Sequence, residues 1–304
     1  MANVTVSADE LAQLGAPPAK KRRGLVRRSW DVFAENRLAL VGLGFIVFIV
    51  LFCFLGPVFY QTNQSTTDLI NTMCPPSGGH LLGCNELGYD QLGRLMAGGQ
   101  TSIEVGLAAA LVAVSFGTLY GAISGFFGGV VDAVMMRVVD AGLSLPSLMV
   151  LIIAAVIFHP SPVVMIFAIA VFYWFAVARL VRGETLTLRT REYVQAVKVV
   201  GGSKLRSVIR HVLPNAIGTI IVQATFAVAD SILTLSGLGF LGLGVSAPAT
   251  DWGSMLSGGL NYLQGSDPWW LIYPPGILII LTCISFNFIG DALRDAFETR
   301  LQRR

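Results

Sequence analysis

The chain is 304 residues long, 54% hydrophobic and 13% charged, with a mean hydropathy of +0.69. Soluble domains carry about 25% charged residues, so this balance excludes an ordinary soluble domain and points to a polytopic membrane protein. The formal charge of +3 carries no nucleic-acid message, because the basic residues flank apolar spans rather than forming a patch of their own.

Six apolar runs are long enough to cross a bilayer as helices, which takes about 20 residues each. They lie near 38–60, 101–126, 134–158, 163–180, 216–244 and 269–293, and are too long and continuous for barrel strands. Positive charge stays on the cytoplasmic side. If the N-terminus is inside, all but Arg94 of the 21 basic residues fall there. The expected fold is all-α, with six transmembrane helices and both termini cytoplasmic.

Four segments follow. Residues 1–37 form a cytoplasmic tail and a basic juxtamembrane segment that holds KKRRGLVRR, which suits a membrane surface. Residues 38–98 hold the first span and an extracytoplasmic loop, 99–293 the five-helix core, and 294–304 a cytoplasmic tail. The first run starts too far from Met1, and is too long, for a cleaved signal peptide. The loop contains Cys74 and Cys84, which either form a disulfide on the oxidising side or stay as free thiols. Cys53 and Cys283 lie in apolar runs and pack as small hydrophobes.

The second run is full of Gly, Ala and Ser, which lets helix backbones approach closely in lipid. Beyond it, Arg137 and Asp140 are spaced to pair on one helical face. Pro146 kinks the third run, or marks where an interfacial segment turns into the bilayer.

Between the fourth and fifth runs lies REYVQAVKVVGGSKLRSVIRHVLPN, residues 191–215. Val194, Val197 and Val200 make one helical stripe, and Leu205, Val208, Ile209 and Val212 a second. Gly201-Gly202 breaks the helix between them, Ser203 can cap the second piece, and Pro214 is expected to stop it. By pattern alone this is a pair of short amphipathic helices, either a plain surface pair or a docking handle.

In the fifth run, Gln223, Ala227, Asp230 and Thr234 follow one another at helical spacing. Such a face lines a translocation path, with Asp230 meeting a substrate ammonium or a partner-subunit base, or makes structural hydrogen bonds within the bundle. The glycine run 237–244 suits a re-entrant turn or tight helix packing. The loop 245–268 holds Asp251, Trp252 and Asp267 and no basic residue, so it is expected outside. No GxxxxGK[ST] phosphate loop and no nucleophile–base set stands in the chain.

The insert resembles something specific. Gln195-Ala196-Val197, then Gly201, then Leu213-Pro214 is similar in spacing to the EAA loop of ABC importer permeases, departing from it at Gln195 and His211. LGCNELGYDQLGRLMAGGQTS looks like the signature LGTDxxGRDxxSRxxxGxRTS of peptide/nickel-type permeases. SGLGFLGLGVSAPATDWGSML and PWW…PPG…FNFIGDALRDAFETRL resemble two further blocks of that family, in the right order. The resemblance covers about 28–301.

It implies a type I ABC importer permease of the dipeptide/oligopeptide/nickel family. Such a subunit pairs with a homologous second permease, two ATPase domains and an extracytoplasmic substrate-binding protein, and the resemblance implies that the loop with Asp251, Trp252 and Asp267 faces that binding protein. ATP and Mg are then held by the ATPases, with no cofactor on this chain, and alternating access carries the solute inward across the inner membrane. The resemblance makes Glu192, Gln195, Ala196, Val197, Gly201, Gly202, Leu205, Arg210, His211, Leu213 and Pro214 an ATPase-coupling loop. The competing readings are an ion channel or secondary transporter, with the insert as a regulatory surface, and an intramembrane enzyme, which lacks a catalytic pair.

Overall fold

The computed structural model describes residues 32–301 except 63, 65, 200, 202 and 263–267. The tail before residue 32, Val200, Gly202 and Asp267 therefore lie outside the described residues. The order is α1 (Arg37–Phe59), α2 (Gln91–Phe127), α3 (Gly129–Ser144), α4 (Ser147–Ile157), α5 (Pro162–Leu188), α6 (Glu192–Val199), α7 (Lys204–Ser207), a π-turn (Val208–Val212), α8 (Leu213–Phe240), α9 (Trp252–Leu260) and α10 (Trp269–Leu301). No strand occurs among the described residues; a single bridge joins Cys84 and Asp90.

Helices α1, α2, α5, α8 with α7 and the π-turn before it, and α10 are each long and apolar enough to span, and α3 with α4 makes a sixth, broken span. The break is a bend of 79° at Leu145-Pro146. The residue before a proline is driven out of the α region, and Leu145 is extended. Helix α4 has 11 residues, about 16 Å of length, too short to cross the roughly 30 Å hydrocarbon layer alone.

Helix α2 begins at Gln91, inside the segment that the sequence assigns to the loop. Its cap is the reason: Asp90 Oδ1 accepts from the Gly93 amide at 2.9 Å. At 37 residues the helix is about 55 Å long, well beyond the roughly 30 Å hydrocarbon thickness.

Gly117, Gly121 and Gly125, one turn apart on α2, lie against the α5 backbone at Trp174, Ala178 and Arg182. A Cβ at Gly121 would meet the Ala178 carbonyl oxygen. This seam of small residues holds α2 and α5 together and runs into the largest apolar cluster, which joins Val177 and Val181 to Val194, Val208 and Val212.

Three local expectations change. Asp140 pairs with Arg179 of α5 rather than with Arg137. The segment 294–301 is helical, continuing α10 past the end that the sequence assigns to the sixth run. Pro214 does not stop the helix before the fifth span. The chain stays helical from α7 into α8 because the π-turn shifts the register, with the Leu213 amide donating to the Val208 carbonyl, and Pro214, which has no N–H to give, follows that shift.

At the opposite end Cys74 and Cys84 are bonded. Asp90 gathers this loop, accepting from the Tyr60 hydroxyl at 2.9 Å and meeting His80 Nδ1 at 3.0 Å.

Candidate functional site: the basic handle and the α8 face

The handle is two-faced. Val194 on α6 and Val212 in the π-turn are fully buried and Val208 nearly so, packed beside Val181, Leu188, Phe126 and Ala216. Tyr193, Val199, Leu205 and Ile209 point away from that cluster and are exposed, Val199 by 87%. The second stripe therefore splits: Val208 and Val212 anchor, while Leu205 and Ile209 face outward. The split follows from the π-turn, which changes the angular step per residue where the sequence pattern assumes a constant one.

Gly201 has φ +83, a left-handed conformation that glycine adopts without strain. A Cβ there would meet nothing within 4 Å, so the backbone and not the space demands glycine. Ser203 Oγ accepts from the Arg206 amide at 3.3 Å, which starts α7. Gln195 Nε2 donates to the Arg189 carbonyl at 3.0 Å. That carbonyl lies at the C-cap of α5, where helix carbonyls lack intrahelical partners. A Glu carboxylate has no proton to give there, so this tie of α6 to α5 needs the side-chain amide of Gln195. Glu192, Ala196, Arg210 and Pro214 are exposed, and Val197, His211 and Leu213 half-buried.

The polar residues of α8 have unlike environments. Gln223 lines a cleft of about 340 Å³ with Glu184 of α5 and Arg294 of α10. Thr234 shares a 2.8 Å hydrogen bond with the Tyr173 hydroxyl. Asp230 is exposed, and its backbone carbonyl accepts from Tyr173 at 3.2 Å. Ala227 is 1% exposed and packs in the core.

Asp251 and Trp252 correct the surface reading of their loop, because both are fully buried. Asp251 caps α9 through the Ser254 amide at 3.0 Å and pins the preceding loop through the Val245 amide at 3.2 Å. The Trp252 indole N–H donates to the Leu95 carbonyl at 3.0 Å. Its ring lies where a Cβ on Gly99 would stand, 2.7 Å from the nearest ring carbon. Burial pushes the Asp251 carboxyl up from its usual range, and its bonds with Ser254, Val245 and Gly253 pull it partly back. Two glycines of 237–244 serve the same packing, since a Cβ on Gly239 or Gly244 would strike the Asp251 carboxylate, whereas Gly237 and Gly242 face open space. Sequence reasoning missed this role because the partners of Trp252 lie on α2, some 150 positions away in the chain.

Residues 117–303 match the family described as "Binding-protein-dependent transport system inner membrane component". Residues 24–76 match the "N-terminal TM domain of oligopeptide transport permease C". The chain is 39% identical to the oligopeptide transport system permease protein OppC of Bacillus subtilis over 94% of its own length and 93% of that protein. It is 37% identical to the dipeptide transport system permease protein DppC of the same organism, covering 90% of this chain and 86% of the relative. With OppC of Escherichia coli the identity is 42% over 88% of this chain and 89% of the relative. The chain with the broken third span, the glycine seam and the two-faced handle therefore belongs to the binding-protein-dependent inner-membrane permease family, on its OppC/DppC-like branch.

Proposed function

We propose that this chain is one of two permease subunits of an ATP-driven importer of peptides or related small solutes in a bacterial inner membrane. A homologous permease, two ATPase domains that hold ATP and Mg, and an extracytoplasmic substrate-binding protein complete the complex. Both termini and the handle are cytoplasmic, and solute passes by alternating access.

The observation that carries this reading is the handle. Its inner valines are locked to the span ends while Tyr193, Val199, Leu205 and Ile209 stand in solvent. Exposed apolar side chains gathered on one polar element mark a surface that another protein covers. The named relatives, permeases of oligopeptide and dipeptide transport systems, support peptides as the cargo class.

The test is to co-express the chain with the proteins encoded beside it, purify it by a tag on this chain alone, and reconstitute it. An ATPase should co-elute, and peptide uptake into proteoliposomes should require ATP. Solute flux through this chain alone, indifferent to ATP, overturns the reading in favour of a channel or secondary transporter.

A further inference from the structure

At the disulfide end of the bundle, the start of α2, the loop before α9 and α9 itself enclose a polar cavity of about 210 Å³. Arg94 and Gln91 line it from α2, Glu86 and Asn85 from the disulfide-bearing loop, and Thr250 and Ser254 from the other side. Arg94 is only 9% exposed. Its guanidinium carries five N–H donors, and the structure gives it one hydrogen bond, from Nη1 to the Pro248 carbonyl at 3.1 Å, with the Tyr89 ring 4.8 Å from its central carbon. Gln91 is 2% exposed, and its Nε2 finds no acceptor among the described residues. Two buried donor groups, one of them a full positive charge, thus meet at one cavity without enough acceptors.

A buried guanidinium and a buried amide each cost free energy unless bonded. The group that satisfies both is a carboxylate, which takes two parallel N–H bonds from an arginine fork and a further bond from an amide. Glu86 lines the same cavity and acts on Arg94 through its charge without a hydrogen bond to it among the described residues, and its carboxylate lies 3.5 Å from where a Cβ on Gly258 would stand. A positive group on the occupant has an acceptor there. The volume falls below the roughly 300–1,000 Å³ of sites for drug-sized ligands, which limits the occupant to the size of an amino acid or a dipeptide.

We propose that this cavity binds a small zwitterionic solute, its carboxylate on Arg94 and Gln91 and its ammonium toward Glu86. The site stands on the cavity itself; only the side from which the solute arrives rests on the importer reading.

The full-length chain in lipid nanodiscs is tested by saturation-transfer NMR with dialanine, dialanine amide and N-acetyl-dialanine. Dialanine receives saturation, the amide competes about tenfold more weakly or worse, and N-acetylation weakens binding in the wild type but not in Glu86→Gln. Arg94→Met abolishes binding. Because Arg94 also holds the Pro248 loop, Gln91→Met is the second variant: it raises the thermal midpoint by removing an unpaired amide, yet weakens dialanine. Equal binding of acid and amide, no binding of any peptide to the folded chain, or a Gln91→Met that loses stability while keeping dialanine overturns the proposal. A co-eluting ATPase is untouched by any of these results, so failure here is separable from failure of the importer reading.

Discussion

Arg182 grips Asp132 with two hydrogen bonds of 2.6 Å, from Nε to Oδ1 and from Nη2 to Oδ2, tying α5 to the first turn of α3. Ser124 of α2 donates to the same carboxylate at 2.5 Å, and Arg189 Nη1 donates to the Gly125 carbonyl at 2.8 Å. Three helices are thus joined at the point where the chain leaves α2 and turns into the broken third span.

Arg182→Ala leaves the Asp132 carboxylate, only 15% exposed, without its bidentate partner. Hydrogen bonds to charged groups contribute about 1.5–3 kcal/mol, and a loss of that size is expected in thermal or denaturant unfolding of the purified permease. Arg182→Lys recovers part of it, since an ammonium keeps the charge but not the planar fork. Asp132→Asn combined with Arg182→Ala should cost less than the two single changes added together, the signature of a direct pair.

Gly121→Val should prevent the α2–α5 seam from closing, because its side chain collides with the Ala178 carbonyl and the Arg182 amide, backbone atoms that cannot step aside. Overpacking typically costs about 1–3 kcal/mol and more where backbone is struck. The expected result is a low yield of monodisperse protein in detergent. Gly44→Ala on α1 is the control: no atom lies within 4 Å of its Cβ, and the exchange favours the helix by about 1 kcal/mol.

The seam and the bend were readable because their causes are local. A run of Gly and Ala announces close backbone approach, and a proline acts on the residue beside it. Asp251 and Trp252 were not readable, since an Asp and a Trp after a glycine run suit a surface as well as a core. Only the seating of α9 against Leu95, Gly99 and Ser102 puts them inside. Pairing was legible in kind but not in partner: spacing offered Arg137 to Asp140, yet Arg179 on another helix takes it. Arg94 left a faint signal as the one basic residue outside the positive-inside pattern, while its cavity depends on a loop more than 150 residues away.

Asp251→Ala removes the α9 cap and leaves the Val245 amide without its acceptor. A lost cap costs about 0.5–2 kcal/mol and a stranded buried donor about 1–3 kcal/mol. The sign of the pH effect is opposite to that of a salt-bridged carboxylate. Burial raises the folded-state pKa, so the contribution of Asp251 is fully present below its unfolded value of about 3.9 and declines as pH rises through the raised folded value. Asp251→Asn keeps one acceptor oxygen and should lose this component. Unfolding midpoints across the acid range for wild type and both variants check the order and the slope.

Gly201→Val separates the handle from the bundle, because its effect is confined to the backbone. The side chain meets nothing within 4 Å, but φ +83 is strained for a branched residue, at about 1–2 kcal/mol. The chain relieves this by re-angling α6 against α7, which shifts the exposed Val199 relative to Leu205 and Ile209 while Val194, Val208 and Val212 keep the handle anchored. Membrane insertion and thermal stability should change little. ATP-dependent uptake by the reconstituted complex should fall severalfold, with ATP hydrolysis continuing. Gly201→Asn, whose side chain tolerates the left-handed region, should restore much of the uptake. Unchanged uptake in the Val variant removes the handle from the coupling role; equal loss in Val and Asn shifts the cause from backbone angle to the side chain itself.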